Sequence, residues 1–130
     1  MYEKLNPNNA AVSSFVFVLK KTGGFAGVNQ KYHYNSYTRE LISYVGNTFK
    51  VTVLPDTDED NIKQIINDNN IFATSNNYPP NENTMDYFSY GLLVMMNGNS
   101  HIVEWTDPSN SAPEGLQRLS RAIENIPTAQ

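Results

Sequence analysis

The segment Tyr87-Phe-Ser-Tyr-Gly-Leu-Leu-Val-Met-Met-Asn-Gly-Asn-Ser-His-Ile-Val-Glu-Trp105 decides the fold. Tyr87 to Met96 reads as a long strand and His101 to Trp105 as its return. Asn97-Gly98-Asn99 lies between them, and this is the strongest hairpin-turn signal in the chain because these residues tolerate positive φ. A tight turn here puts Leu92, Val94, Met96, His101, Val103 and Trp105 on one face. Leu93, Met95 and Ile102 take the other. One face can pack on helices. The second apolar face needs cover from loops or from a partner.

Upstream, Ser14 to Lys20 is rich in β-branched and aromatic residues and is expected to be a strand with two apolar faces. Val28 to Tyr34 is its return arm. Asn35-Ser36-Tyr37 breaks the pattern, Thr38 to Val45 is open between strand and helical turn, and Gly46-Asn47 is a turn. Phe49 to Leu54 alternates as a strand, with Phe49, Val51 and Val53 on one side and Lys50 and Thr52 on the other.

Pro55 ends that strand and Asp56 opens a helix. Asp56 and Glu59 have capping-box spacing, and Ile62, Ile65 and Ile66 form an apolar stripe. Asn69-Asn70 is a left-handed stop. Ala73 to Asp86 is a long polar loop around Tyr78-Pro79-Pro80. Ser111 and Glu114 suggest a second capping box. Leu116, Leu119, Ile123 and Ile126 make the buried stripe of a final helix that Pro127 should stop. The expected fold is α+β: an antiparallel sheet of about four strands with two helices packed on one face, in the order ββαββα. Residues 13–130 form one domain, preceded by a flexible polar arm at 1–12.

Composition narrows the function. The 130 residues carry no cysteine, nine Lys or Arg and a net charge of -4. Thiol chemistry and Cys-ligated zinc are excluded, and the reading leans to the cytoplasm. The cations are scattered, so nucleic-acid binding is not expected. No apolar run is long enough to span a membrane, and the start MYEKLNPNNAAVSSF lacks the pattern of a secretory leader. His33 and His101 are the two histidines, and neither belongs to a metal motif. Asp56 to Asp60 lacks the glycine and distal glutamate of a calcium loop. No nucleophile motif is present. The chain is expected to be a non-enzyme without a cofactor.

The remaining signal is Lys20-Lys-Thr-Gly-Gly-Phe-Ala-Gly-Val28. It lies between two strands, so no helix N-terminus is available to hold a phosphate. One reading is a wide hairpin turn with Phe25 tucked against the sheet. The other is a shaped loop that anchors a partner through Phe25, the glycines allowing close backbone approach.

Phe15 to Gly27, Asn61 to Phe72, Asp86 to Gly98 and Leu116 to Leu119 together resemble the emfourin, or protealysin-inhibitor, family. Residues 14–126 carry the likeness, and Gly23-Gly-Phe-Ala-Gly27 is its most specific element. The chain departs from the pattern in its N-terminal arm and in extra residues from Asn35 to Asn47. The resemblance implies inhibition of a thermolysin-like zinc metallopeptidase by an exposed loop. The contact residues would be Lys21, Thr22, Gly23, Gly24, Phe25, Ala26 and Gly27, with Lys20, Lys21 and Thr22 at the rim and the segment 73–86 as a rival. The protein would be a monomer or weak homodimer. A different reading is a non-catalytic module that binds or dimerises through Leu93, Met95 and Ile102.

Overall fold

The computed structural model describes residues 14–25, 27–80, 87–109 and 111–129. The arm expected at 1–12 lies outside them. The hairpin that decides the fold forms as β6 (Phe88–Met96) and β7 (Asn99–Asp107). Asn97 and Gly98 both take positive φ, 55° and 82°, which matches the strand twist across a two-residue turn. Leu92 opposes Val103 and Val94 opposes His101. Leu92, Val94, Met96, Val103 and Trp105 are buried, whereas Met95 and Ile102 are exposed.

The four-strand sheet is overturned. Among the described residues the structure is a seven-stranded mixed sheet with two helices. β1 (Phe15–Gly23), β2 (Val28–Asn35), β3 (Glu40–Val45) and β4 (Thr48–Val53) come first, followed by α1 (Asp56–Asp68). A single 3₁₀ turn (Ile71–Ala73) leads to β5 (Asn77–Tyr78), then β6, β7 and α2 (Glu114–Ala129). The spatial order is β4-β3-β2-β1-β6-β7-β5. All neighbours are antiparallel except β5, which runs parallel to β7. The segment 35–47, open in sequence between strand and helical turn, supplies one of the added strands, β3. Arg39 takes φ 61° and turns the chain so that β3 pairs with both β2 and β4.

One sheet face carries the core. Phe15, Phe17, Leu19, Tyr34, Leu41, Leu92, Val94 and Trp105 pack there against Ile62 and Ile66 of α1 and Leu116, Leu119 and Ile123 of α2. Each such side chain contributes about 1.5–3 kcal/mol of burial. Phe15, Phe17 and Tyr34 form one ring cluster, and Tyr90 stacks flat on Trp105 at 5.0 Å.

Neither capping box forms the helix start. Both helices begin directly after a proline, Pro55 and Pro113, whose fixed φ suits that place. Asp56 turns its carboxylate to Arg39 instead of its own helix. Asn70 does adopt the left-handed conformation, φ 52°. Pro127 does not stop α2, which runs on to Ala129. A proline in the last turn removes only one hydrogen bond there.

β4 inverts the usual polarity. Thr52 is buried on the core face, while Phe49, Val51 and Val53 point away from it. The register carries this apolar character across the open face. Val51, Ile42, His33, Val18, Leu93 and Ile102 lie side by side in one row over six strands. The second apolar face expected from the sequence is present and wider than Leu93, Met95 and Ile102.

Candidate functional site

The β1–β2 hairpin projects Phe25 into solvent at 90 % exposure. Its backbone is fixed from both sides. Gly27 donates its N–H to the Gly24 carbonyl at 3.1 Å, closing the turn. Gly24 donates to the Tyr87 carbonyl at 3.0 Å, joining the tip to the start of β6. Gly23 and Gly24 adopt φ 107° and 77°, conformations that L side chains rarely hold. A Cβ on Gly23 would stand 2.8 Å from the Tyr87 carbonyl oxygen, and one on Gly24 would stand 2.8 Å from the Phe88 ring. The glycines therefore serve a second purpose besides flexibility: they let the tip lie directly on the neighbouring strand. Ala26 lies outside the described residues.

The leading residues separate by strand alternation. Thr22 and Lys20 point to the open face. Lys21 points to the helix-bearing face, where its Nζ meets Glu124 Oε1 at 3.0 Å and sits 4.5 Å from the Phe88 ring centroid. Burial opposes the Lys21 charge, but the Glu124 hydrogen bond and attraction outweigh it, and its pKa is raised. Lys21 is thus an internal brace and not a rim residue. Thr22, Gly23, Gly24 and Phe25 remain together at the accessible end.

Beside this tip the open face is hollowed. Thr22, Ser89, Thr106 and Glu104 line a cavity of about 430 Å³ under Tyr78, Pro79 and Pro80. The rival loop 73–86 therefore contributes its described part, Asn77 to Pro80, to the same end of the molecule as the hairpin. The sequence reading missed this hollow because Tyr78 reaches it through β5, a two-residue parallel strand with no periodic signal of its own.

No metal-binding group of three or more His, Asp or Glu occurs among the described residues. His101 is held in the core layer by Thr74, with Nε2 2.9 Å from its hydroxyl. His33 lies in the open apolar row. No helix of the described residues is long and apolar enough to cross a membrane. No family model matches the chain, and no curated protein is significantly similar to it.

Proposed function

We propose that this protein inhibits a thermolysin-like zinc metallopeptidase, with Phe25 as the side chain that enters the enzyme's cleft. The observation that carries this reading is a large apolar side chain, 90 % exposed, on a hairpin whose backbone is pinned at Gly24. Exposed aromatics on rigid supports are typical binding anchors, because little conformational entropy is lost on docking. The likeness of Gly23-Gly-Phe-Ala-Gly27 to the emfourin family supplies the class of target. In this reading Thr22 borders the contact and the chain has no catalytic residue, cofactor or nucleic-acid partner. In this reading the protein works in the cytoplasm, which a thiol-free sequence suits.

The test is steady-state inhibition of thermolysin, and of any metallopeptidase encoded beside this chain, by the purified protein. Absence of inhibition at micromolar concentration against both removes the assignment.

A second reading rests on a different observation. Val51 and Ile102, at opposite ends of one row across the open face, are 46 % and 57 % exposed, and the row between them is apolar in all but His33. Such a surface suits association with another protein. Light scattering on the isolated protein separates a dimer from a monomer that acts only through its hairpin.

A further inference from the structure

Gly91 stands in the middle of β6, where a glycine weakens a strand by about 0.5–1 kcal/mol relative to alanine. The fold gives no reason for it. Its φ is not in the left-handed region, and a Cβ added there would meet nothing within 4 Å. A larger residue would fit and strengthen the strand. Interior strand glycines of this kind often mark a place where a ligand approaches the backbone closely.

The neighbours of Gly91 are suited to such a ligand. Lys20 on β1 and Glu104 on β7 are its register partners on either side. Their Cα atoms are two strand spacings apart, about 10 Å. Neither side chain has an ion-pair or hydrogen-bond partner among the described residues. Two hollows meet over the glycine and share Lys20, Gly91 and Glu104. One holds the hydroxyls of Thr22, Ser89 and Thr106. The other, of about 220 Å³, is floored by Val18, Leu93 and Ile102.

We propose that the Gly91 notch binds a short zwitterionic peptide. Its carboxylate meets Lys20, its ammonium meets Glu104, and an apolar side chain rests on Val18, Leu93 and Ile102. An extended dipeptide spans about 7 Å, which leaves the two flexible side chains to close the rest of the gap. A single inorganic ion would engage only one of the two charges. The Thr22 and Ser89 hydroxyls offer donors and acceptors to the remaining polar atoms, while Thr106, which donates to the Pro108 carbonyl at 3.3 Å, is left to accept.

The test is a titration of the full-length, isotope-labelled protein with dileucine, followed by NMR. The expected result is saturable binding with shifts centred on Lys20, Gly91 and Glu104. Gly91→Val fills the notch and should weaken binding by about tenfold or more. Lys20→Gln and Glu104→Gln should each weaken it by about fivefold, as suits exposed charges. N-acetyl-dileucine amide, which lacks both charges, should bind about tenfold more weakly or worse. No saturable shift up to about 10 mM overturns the proposal, as does equal affinity in a folded Gly91→Val protein. If Gly91→Val does not fold, the two charge variants decide: unchanged affinity in both overturns it. Phe25 plays no part in this site, so its failure leaves the hairpin reading intact.

Discussion

Lys21 and Glu124 are 103 positions apart in the chain and meet at 3.0 Å. The contact ties the base of the β1–β2 hairpin to α2. Tyr90 joins it, donating its hydroxyl to Glu124 Oε2 at 3.4 Å, and the Lys21 ammonium lies over the Phe88 ring. Both charged side chains are largely buried, 17 % and 18 % exposed, so water screens them little. Glu124→Gln keeps the shape and removes the charge. It should destabilise the protein by about 1.5 kcal/mol, the scale of a charge-assisted hydrogen bond. Denaturant melts of Glu124→Gln, Lys21→Met and the double variant would measure it. Strict additivity of the two single losses would mean that the pair is not coupled.

The same cluster makes a prediction about pH. Burial raises the pKa of Tyr32 and Tyr90, with the Glu124 charge adding to it. Burial and the hydrogen bond donated to Glu59 raise that of Tyr34. Lys21 is raised as well. A group whose folded pKa lies above its unfolded value binds its proton more tightly when folded. Its contribution is therefore complete below the unfolded value, about 10 for tyrosine, and is lost as pH rises through the folded value. Stability should be flat from neutral pH to about pH 9.5 and should fall steeply beyond pH 10.5. Unfolding curves collected alongside phenolate absorbance test this. Constant stability through pH 11.5 or so would contradict it.

Phe25 and Gly23 should respond in opposite ways to mutation. Phe25 is almost wholly in solvent, so Phe25→Ala should leave the melting temperature unchanged. It should weaken peptidase inhibition by about tenfold or more. Gly23→Ala forces a Cβ against the Tyr87 carbonyl at φ 107° and should cost about 1–3 kcal/mol of stability. The pair of variants separates the role of the side chain from that of its support. An unchanged inhibition constant in Phe25→Ala rules the anchor out, whatever Gly23→Ala does.

The hairpin at Asn97-Gly98 and the stripes of both helices were legible in the sequence because their signals are local. Turn residues need particular φ values, and a helix stripe follows one period. The strand count was not legible. Thr38 to Val45 carries no decisive period, since Leu41 and Ser43 face the core while Ile42 and Tyr44 do not, so both faces look alike in composition. β5 is two residues long and exists only because β7 offers an edge to pair with. At the candidate site the glycine-rich tip could be found from composition. The turn of Lys21 inward to Glu124 could not, because it depends on a helix 103 positions away. The alternation in β4 does mark two faces. Periodicity alone does not say which is covered, and the core under this edge strand takes Thr52.

That inversion yields a final prediction. Thr52 and Ser43 bury their hydroxyls on the core face, and neither oxygen has a hydrogen-bond partner among the described residues. Thr52 is opposite Leu41, two residues from Ser43, so the two hydroxyls share one apolar neighbourhood. An unpartnered buried hydroxyl costs about 1–3 kcal/mol of desolvation with no compensating bond. Thr52→Val replaces the oxygen with a methyl of similar size and keeps the β-branch that suits a strand. It should stabilise the protein by about 1 kcal/mol and raise the melting temperature by roughly 4 °C. Ser43→Ala should help less, because it also gives up packing volume. Calorimetry on the two variants is decisive. A lower melting temperature for Thr52→Val would show that the hydroxyl is hydrogen-bonded in solution, and the polar patch under β4 would then be a satisfied network and not a weakness of the edge.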